Sequence, residues 1–270
     1  MTMTKIIYLL IMGMMFFATQ LSAKTSKYSA SHYKYIGTFE KKKSNQKIES
    51  TMSLENLQKS IRKRWVEGYD ISEIKYGNGK WIAVFTKNPK ETHQTYIVAR
   101  RFSVVNNLLK KYWDKGYYIT NVEHGLAEWI VIFEKNTSYT NQAFERRKKL
   151  DVFVDAVNKR WKENFDLIDL EYGEGRWTGI FAEGTEYKGQ AMIIRSAWRD
   201  MVRAIEKNWK KGYHISNIEY TLGKWMVVFS RSKNNAAQGY ETAATMEAFT
   251  KKFEKRQQEG YKLIDLAEGW

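Results

Sequence analysis

The stretch RWVEGYDISEIKYGNGKW, residues 64–81, decides the fold, because nearly the same stretch occurs three more times. The later copies are YWDKGYYITNVEHGLAEW from Tyr112, RWKENFDLIDLEYGEGRW from Arg160 and NWKKGYHISNIEYTLGKW from Asn208, each 48 residues after the last. A fifth and shorter copy, RQQEGYKLIDLAEGW, ends at Trp270. A constant internal period indicates an architecture built from similar units that pack on one another.

Several positions of the repeat hold one residue type in copy after copy. Two Trp columns and one Phe column keep the 48-residue step without an insertion. Chance does not hold so many columns in step, so we treat the repeat as established. The columns are Trp65, Trp113, Trp161 and Trp209; Trp81, Trp129, Trp177 and Trp225; and Phe85, Phe133, Phe181 and Phe229.

The hydrophobic period changes within each unit. In LENLQKSIRKRW the apolar residues Leu54, Leu57, Ile61 and Trp65 lie on one helical face, and Gly68 is suited to end that helix. The segments YDISEIKY and WIAVF, with the tight-turn sequence GNG between them, have the pattern of a β-hairpin, and QTYIVARR predicts a third strand. The sequence therefore predicts an α+β repeat protein of five helix–strand–strand–strand units of 48 residues.

The fifth copy stops before its W-x-x-x-F strand, and the N-terminal segment YIGTF, Tyr35–Phe39, has the missing pattern. An open array needs polar caps at both ends, whereas a closed ring leaves no bare sheet edge. We predict a closed five-fold α/β-propeller in which N-terminal strands complete the last unit; an open array is the alternative. The units cover about 33–76, 81–124, 129–172, 177–220 and 225–270.

Residues 1–23 have the pattern of a secretory signal peptide. Lys5 precedes an apolar run, Ile6–Ala18, and a small-residue cleavage sequence, LSA, follows. The run is shorter than the about 20 residues of a spanning helix. We predict a signal peptide, a linker at residues 24–32 and a single domain at residues 33–270. The protein would be secreted or periplasmic, with no transmembrane segment in the mature chain; an uncleaved anchor is the alternative.

Charge and cysteine content limit the classes of function. The formal net charge of +15 favours an anionic polymer or an acidic protein as partner, although solubility alone could explain it. No specific nucleic-acid motif is present. The chain has no Cys, which excludes disulfides, thiolate catalysis and Cys-based zinc sites.

The pattern W-x-x-G-[YF]-x-[IV]-x-x-[IV], followed by GKW-x-x-[VI]-F and Q-x-[YF], resembles an uncharacterised tandem repeat domain, a domain of unknown function. That domain is found in bacterial proteins and at the C-terminus of plant casein-kinase-like (histone-kinase) proteins. The resemblance covers about residues 33–270 and implies an accessory or binding module, since no kinase catalytic segment is present. In the second copy the pattern is carried by Trp113, Gly116, Tyr117, Ile119, Trp129, Phe133 and Gln142.

The number and order of the units resemble, in topology only, the pentein or five-bladed α/β-propeller architecture of amidinotransferases, deiminases and ribosome anti-association factors. Enzymes of the pentein class use a Cys nucleophile beside His and acidic residues. This chain has no Cys, so that chemistry does not carry over.

Histidines and acids offer only weak catalytic signals. His32, His93, His124 and His214 occupy different phases of the repeat, without metal-ligand spacing, and we predict no metal and no cofactor. One column alternates between carboxylates and amides, which is typical of a turn or hydrogen-bonding position. Paired carboxylates of a hydrolase are the alternative interpretation. That column is Glu73, Asn121, Asp169, Asn217 and Asp265.

Two columns are candidate binding residues. One Lys lies near the end of every predicted helix, where it could either offset the helix dipole or join a basic belt for an anionic polymer. One Gln lies on a strand of each unit, where it could pair with backbone between units or line a polar mouth. The candidates are Lys63, Lys111, Lys159, Lys207 and Lys255, with Gln94, Gln142, Gln190 and Gln238, extended backwards by Gln46.

The sequence thus favours an exported, non-enzymatic binding or scaffold protein that presents a basic surface to an anionic ligand or protein partner. The alternative is an Asp/Glu-dependent hydrolase acting on polysaccharide or cell-envelope material, so the question of catalysis stays open at this point.

Overall fold

The computed structural model describes residues 33–88, 93–232 and 236–270. The predicted signal peptide and linker, together with His32, lie outside the described residues. Within the described residues, no helix is both long and apolar enough to span a membrane.

The elements follow one pattern: a strand, a helix, and then two strands joined by a tight turn. Strand β1 precedes this series and the last repeat ends after a single strand. The bounds are β1 (Lys34–Glu40); β2 (Gln46–Thr51), α1 (Leu54–Val66), β3 (Tyr69–Gly77) and β4 (Lys80–Lys87); β5 (Gln94–Ala99), α2 (Phe102–Trp113), β6 (Tyr118–Gly125) and β7 (Glu128–Glu134); β8 (Asn141–Arg147), α3 (Leu150–Lys162), β9 (Asp166–Gly173) and β10 (Arg176–Glu183); β11 (Tyr187–Arg195), α4 (Trp198–Trp209), β12 (His214–Thr221) and β13 (Lys224–Ser232); β14 (Gln238–Ala243), α5 (Met246–Gln258) and β15 (Lys262–Gly269).

The strands form five antiparallel sheets of three strands each, in the orders β2-β4-β3, β5-β7-β6, β8-β10-β9, β11-β13-β12 and β14-β1-β15. The middle strand is always the one that carries the W-x-x-x-F pattern or, in β1, its YIGTF counterpart. The described residues therefore confirm an α+β protein of five helices and five repeat-like units.

Helix boundaries follow local chemistry. The Ser53 Oγ accepts a hydrogen bond from the Asn56 N–H at 3.2 Å and so caps the start of α1. After α1 the backbone turns at Gly68 with φ of 74°, a left-handed conformation that glycine adopts without strain. In the third repeat Asn164 takes this position with φ of 64°, because Asn tolerates the left-handed region better than most residues.

Strand β1 is the middle strand of the last sheet. It pairs with β14, where Tyr35 faces Ala243, and with β15, where Ile36 faces Ala267. Strand β2, by contrast, pairs with β4 of the next sheet. The boundaries of the hydrogen-bonded sheets along the chain thus differ from the boundaries of the predicted units. A single N-terminal strand completes the last sheet.

Each hydrophobic core lies between one sheet and the next. The core under α1 contains Trp81 and Phe85 of its own sheet, together with Ile130 and Ile132 of β7. The core under α4 likewise includes Ile36 of β1 and Ala267 of β15. The second Trp column is 0–2% exposed throughout, so these tryptophans are packing residues: Trp81, Trp129, Trp177 and Trp225.

The strands that directly follow the helices, β3, β6, β9, β12 and β15, will be called the post-helix strands. Each contacts the post-helix strand of the following repeat, and β15 also contacts β3. Residues at equivalent positions of these five strands therefore lie near one another, which determines where the polar interior forms.

Deleting residues 24–50 should make the protein aggregate or unfold, because β14 and β15 would lose the strand between them and β4 would lose most of its neighbour β2. The reference protein is the chain that begins at residue 24, and a chain that begins at Tyr33 is the control, since it keeps β1. Size-exclusion chromatography and thermal melting measure the effect. A 24–50 deletion variant that stays monomeric with the reference Tm would show that β1 is dispensable.

Candidate functional site

The five column lysines all lie in the last turn of a helix and are exposed. They occupy five different helices and do not converge on one point. Lys159 and Lys255 lie 3.8 and 3.9 Å from Glu163 and Glu259. Among the described residues, no ion pair joins a carboxylate to Lys63, Lys111 or Lys207.

Three of the five repeats neutralise the surface next to the column lysine with a Glu–Arg–Glu network. In the first repeat Arg64 donates to Glu49 at 2.5 Å and to Glu67 at 2.6 Å. The same arrangement recurs 96 and 192 residues later, as Arg160 with Glu145 and Glu163 and as Arg256 with Glu241 and Glu259. These networks cover much of the local positive charge.

The fourth repeat lacks this network. The three positions are taken by Ile193, Asn208 and Lys211, so both acids are gone and a cation has replaced one of them. The Asn208 Nδ2 donates to the Ala204 backbone carbonyl at 2.8 Å and makes no charged contact. The electrostatic character of this face is therefore reversed relative to the first, third and fifth repeats.

A groove of about 550 Å³ lies on this face of the fourth repeat. We call it the basic groove; its charged lining residues are Arg195, Asp200, Arg203, Lys207 and Lys211. The four cations are exposed and Asp200, which pairs with Arg203, is the single carboxylate in the lining. Ile193 and Ala204 give the groove an apolar floor. The arrangement can bind an anionic group by charge and by hydrogen bonds at the same time.

Many acidic side chains lie in the interior of the protein and not on its surface. Eight Asp or Glu residues are buried, whereas Lys75 is the single buried cation among the described residues. The exposed part of the molecule consequently carries a larger positive excess than the formal net charge of the chain suggests. The buried acids are Glu73, Glu123, Glu145, Asp169, Glu171, Glu219, Asp265 and Glu268.

The alternating acid and amide column holds adjacent post-helix strands together. Asn121 Oδ1 accepts from the Ile74 N–H at 3.1 Å, and Asp169 Oδ2 accepts from the Val122 N–H at 2.6 Å. Asp265 Oδ2 accepts from the backbone N–H of β12 in the same way, at 2.6 Å. Only an acceptor oxygen is needed at such a position, which explains why Asn and Asp both occur there. The hydrogen-bonding interpretation of this column therefore matches the geometry.

Two residues further along, the same strands supply Lys75, Glu123, Glu171 and Glu219. The Lys75 Nζ lies 3.2 Å from Glu219 Oε2 and 3.9 Å from Glu123 Oε2. Burial by itself would lower the pKa of Lys75, but Glu219 and other nearby carboxylates outweigh it and raise that pKa well above the usual value. Lys75 thus stays charged inside the protein.

Six carboxyl groups surround this one ammonium group, and we call the seven residues the acidic cluster: Glu73, Lys75, Glu123, Asp169, Glu171, Glu219 and Asp265. Burial is the main cause that raises the pKa of every acid in the cluster, to about 7 for Asp265. As carboxylates, Glu123 and Glu171 each have an oxygen without a hydrogen-bond donor. A proton held between them would remove that deficit, so the cluster retains protons at pH values where exposed acids have lost them.

The Gln column connects neighbouring sheets. Gln142 of β8 donates from Nε2 to the Ile119 carbonyl at 2.7 Å, and its Oε1 accepts from the Ile119 N–H at 2.8 Å and from Trp113 Nε1 at 3.0 Å. Gln94, Gln190 and Gln238 bind Ile71, Leu167 and Ile215 in the same way. Gln46 binds Leu263 of β15, with Gln257 in place of the Trp. Both ends of each amide are engaged, which favours the pairing role over a ligand contact.

His124 has a packing role. Its ring lies 4.7 Å from the Trp129 ring, and Tyr76 lies 4.9 Å from Trp81 at the equivalent position of the first repeat. In the part of the chain that the structure describes, no group of three or more His, Asp or Glu side chains could hold a metal ion.

Sequence reasoning missed the basic groove and Lys75. A comparison between repeats contained the signal for both, since Lys75 stands where Glu123, Glu171 and Glu219 stand in later copies. The departure of Lys211 from the Glu of the first, third and fifth repeats was equally visible. What the sequence did not contain was which side chains of different repeats face one another.

Replacing Gln142 by Ala should lower the free energy of unfolding by about 2–4 kcal/mol, because it leaves the Ile119 backbone groups and Trp113 Nε1 without partners. Urea denaturation followed by Trp fluorescence measures the change. Gln258→Ala is the control, since Gln258 is exposed on the last turn of α5. Equal stability of the two variants would show that the Gln142 amide does not stabilise the fold.

Replacing Glu171 by Gln should stabilise the protein at pH 8 by about 1–3 kcal/mol and change little at pH 4. Burial, followed by Glu123 and Glu219, raises the Glu171 pKa well above 4.5, so the stability that its protonated form contributes is lost as pH rises through the folded-state value. Denaturation curves across this pH range test the prediction. Glu128→Gln, on the β6–β7 hairpin, is the control; a destabilised Glu171→Gln protein at pH 8 would mean that the cluster needs this charge.

Comparison with known proteins gives a family but no activity. Residues 18–199 match the family described as Domain of unknown function (DUF7477). No curated protein matches the chain. The expected resemblance to an uncharacterised domain is confirmed at that level. Because the match covers more than half of the sequence, this chain belongs to the DUF7477 family of domains of unknown function.

Proposed function

We propose that this protein is an exported, non-enzymatic binding or scaffold protein whose basic groove holds an anionic polymer or an acidic protein partner. The observation that carries the proposal is the combination, in the fourth repeat, of two changes: Ile193, Asn208 and Lys211 replace the Glu–Arg–Glu network, and Arg195 and Arg203 lie beside them. The second repeat also lacks the network, but it has Ala99 and Asn107 where the fourth has Arg195 and Arg203. The two changes in the fourth repeat leave Arg195, Arg203, Lys207 and Lys211 around one groove with a single carboxylate. Export rests on the pattern of residues 1–23.

The shape of the groove supports a polymer more than a small anion. It is open along α4, and its cations come from β11, from α4 and from the segment after α4. A chain with repeated negative charges would contact several of these groups and release bound counterions from each contact. The burial of eight acids elsewhere supports the same proposal, because it lowers the number of acids on the surface that would repel such a chain.

The hydrolase alternative has less support. Glu123 and Glu171 do converge, as a hydrolase would require, but they are 3% and 5% exposed and lie beside Lys75 within the acidic cluster. Substrate would have to displace packed strands to reach them. A polysaccharide hydrolase needs an open cleft with a carboxyl group on each side of the scissile bond.

We also infer that the five units close into a five-fold α/β-propeller. Three observations support this: β1 lies between β14 and β15, β15 contacts β3, and Gln46 of β2 binds Leu263 of β15. The contact of Lys75 with Glu219 adds support, since these residues belong to sheets that are not adjacent in the proposed ring. The likeness of the W-x-x-G-[YF] units to a module of plant casein-kinase-like proteins fits an accessory binding role.

Replacing Lys207 and Lys211 together by Gln should weaken retention on a heparin column, used here as an anionic polymer, and reduce the salt dependence of binding. The matched control is Lys111→Gln with Lys115→Gln, which removes two exposed lysines at the same positions of the second repeat. Both pairs lose the same interaction with a helix dipole, about 0.3–1 kcal/mol for each Lys, so that effect cancels.

Equal loss of retention in the two double variants would favour a belt formed by the whole Lys column over the basic groove. Unchanged retention of both double variants would show that none of these four lysines binds the anionic polymer. Thermal melting of all proteins at low and high salt separates loss of binding from loss of fold.

A further inference from the structure

A second cavity lies between the fourth sheet, β11-β13-β12, and the last sheet, β14-β1-β15. It has a volume of about 300 Å³ and opens where the post-helix strands begin. Its polar lining includes Glu40, Glu186, Tyr187, His214 and Ser216. This volume is at the lower end of the range for small-molecule sites. The cavity shares no lining residue with the basic groove.

Charged groups of both signs face this cavity. Glu40 and Glu186 supply carboxylates and Lys42 supplies an ammonium group. Within the described residues, none of these three side chains forms an ion pair or a side-chain hydrogen bond. The two carboxylates exceed the one ammonium group by a single negative charge, so the cavity offers two strong acceptors and one charged donor.

Hydroxyl groups complete the lining. The Ser216 Oγ lies 2.7 Å from the Ser230 Oγ, which also accepts from Gln190 Nε2 at 2.9 Å. These hydrogen bonds fix the positions of both hydroxyl groups. The half-buried Tyr187 ring adds a flat apolar surface to the lining.

The position of His214 is not determined by packing. Equivalent positions of the other post-helix strands hold Asp70, Tyr118, Asp166 and Lys262, in contrast to the constant Trp and Phe columns of the cores. Burial lowers the pKa of His214, against an opposing effect of Glu40, which favours a neutral imidazole with one donor and one acceptor nitrogen. Substitutions here should leave the fold intact.

We propose that this cavity binds a neutral polyhydroxylated molecule of monosaccharide size. Vicinal hydroxyls of such a ligand can donate to Glu40 and Glu186 and accept from Lys42, while its C–H face packs on Tyr187. The excess of one carboxylate in the lining disfavours an anionic ligand. The small volume admits one sugar unit rather than an extended chain.

Titration calorimetry and NMR chemical-shift mapping test the proposal with D-glucose, D-galactose, D-mannose and N-acetyl-D-glucosamine on the full mature chain. We expect saturable binding of at least one sugar, with shifts at His214 and Ser216. Glu186→Gln should weaken that binding about tenfold, because it replaces a charged acceptor with a neutral one. Glu128→Gln on the distant hairpin and the Lys207→Gln, Lys211→Gln double variant should bind sugar normally.

No saturable binding of any of these sugars would overturn the proposal, as would equal affinities of the Glu186→Gln variant and the unaltered protein. Glycine and L-alanine form the zwitterionic arm of the test. If they bind in the cavity and the sugars do not, the ligand class is wrong. The double variant separates this result from that of the basic groove, since it should lose heparin retention and keep sugar binding.

Discussion

The placement of β1 between β14 and β15 is the constraint on which the rest of the structure depends. A strand near the start of the chain is hydrogen-bonded on both sides to strands near its end. Because Ile36 and Ala267 of that sheet then enter the core under α4, and Ile82 and Val84 of β4 enter the core under α5, the last sheet has a neighbour on each face. Closing such a long loop costs little more than closing a short one, since the entropy loss grows only with the logarithm of loop length.

The same arrangement forces polar groups into the interior. Five post-helix strands that contact one another place their equivalent side chains together, and backbone N–H groups of neighbouring strands donate hydrogen bonds to side-chain oxygens of Asn121, Asp169 and Asp265 there. Lys75 offsets part of the negative charge, and protons held by the remaining acids offset more of it. A buried network of this kind is costly when incomplete, but it specifies one alignment of the strands.

Comparison of the repeats distinguishes positions that the fold requires from positions that vary between units. The buried Trp and Phe columns and the Gln column are nearly constant, since each forms a core or a contact between sheets. Positions outside those contacts differ from unit to unit, and two such differences create the local sites. Ile193, Asn208 and Lys211 make one helix face basic, while Glu40 and His214 line a cavity at the junction of the last two sheets. A symmetric scaffold can thus carry asymmetric surfaces.

The sequence by itself determined the number of units, the type of each element and the packing columns, because these depend on local periodicity and on residues that recur every 48 positions. It also identified the Gln column and the exposed helix-end lysines, such as Lys207. Only the tertiary structure decided that β1 alone joins the last sheet, that Lys75 meets Glu219, and that Lys207 shares a groove with Arg195. Those contacts join residues from different strands, helices and repeats, and no local pattern encodes which side chains the packing of sheets will bring together.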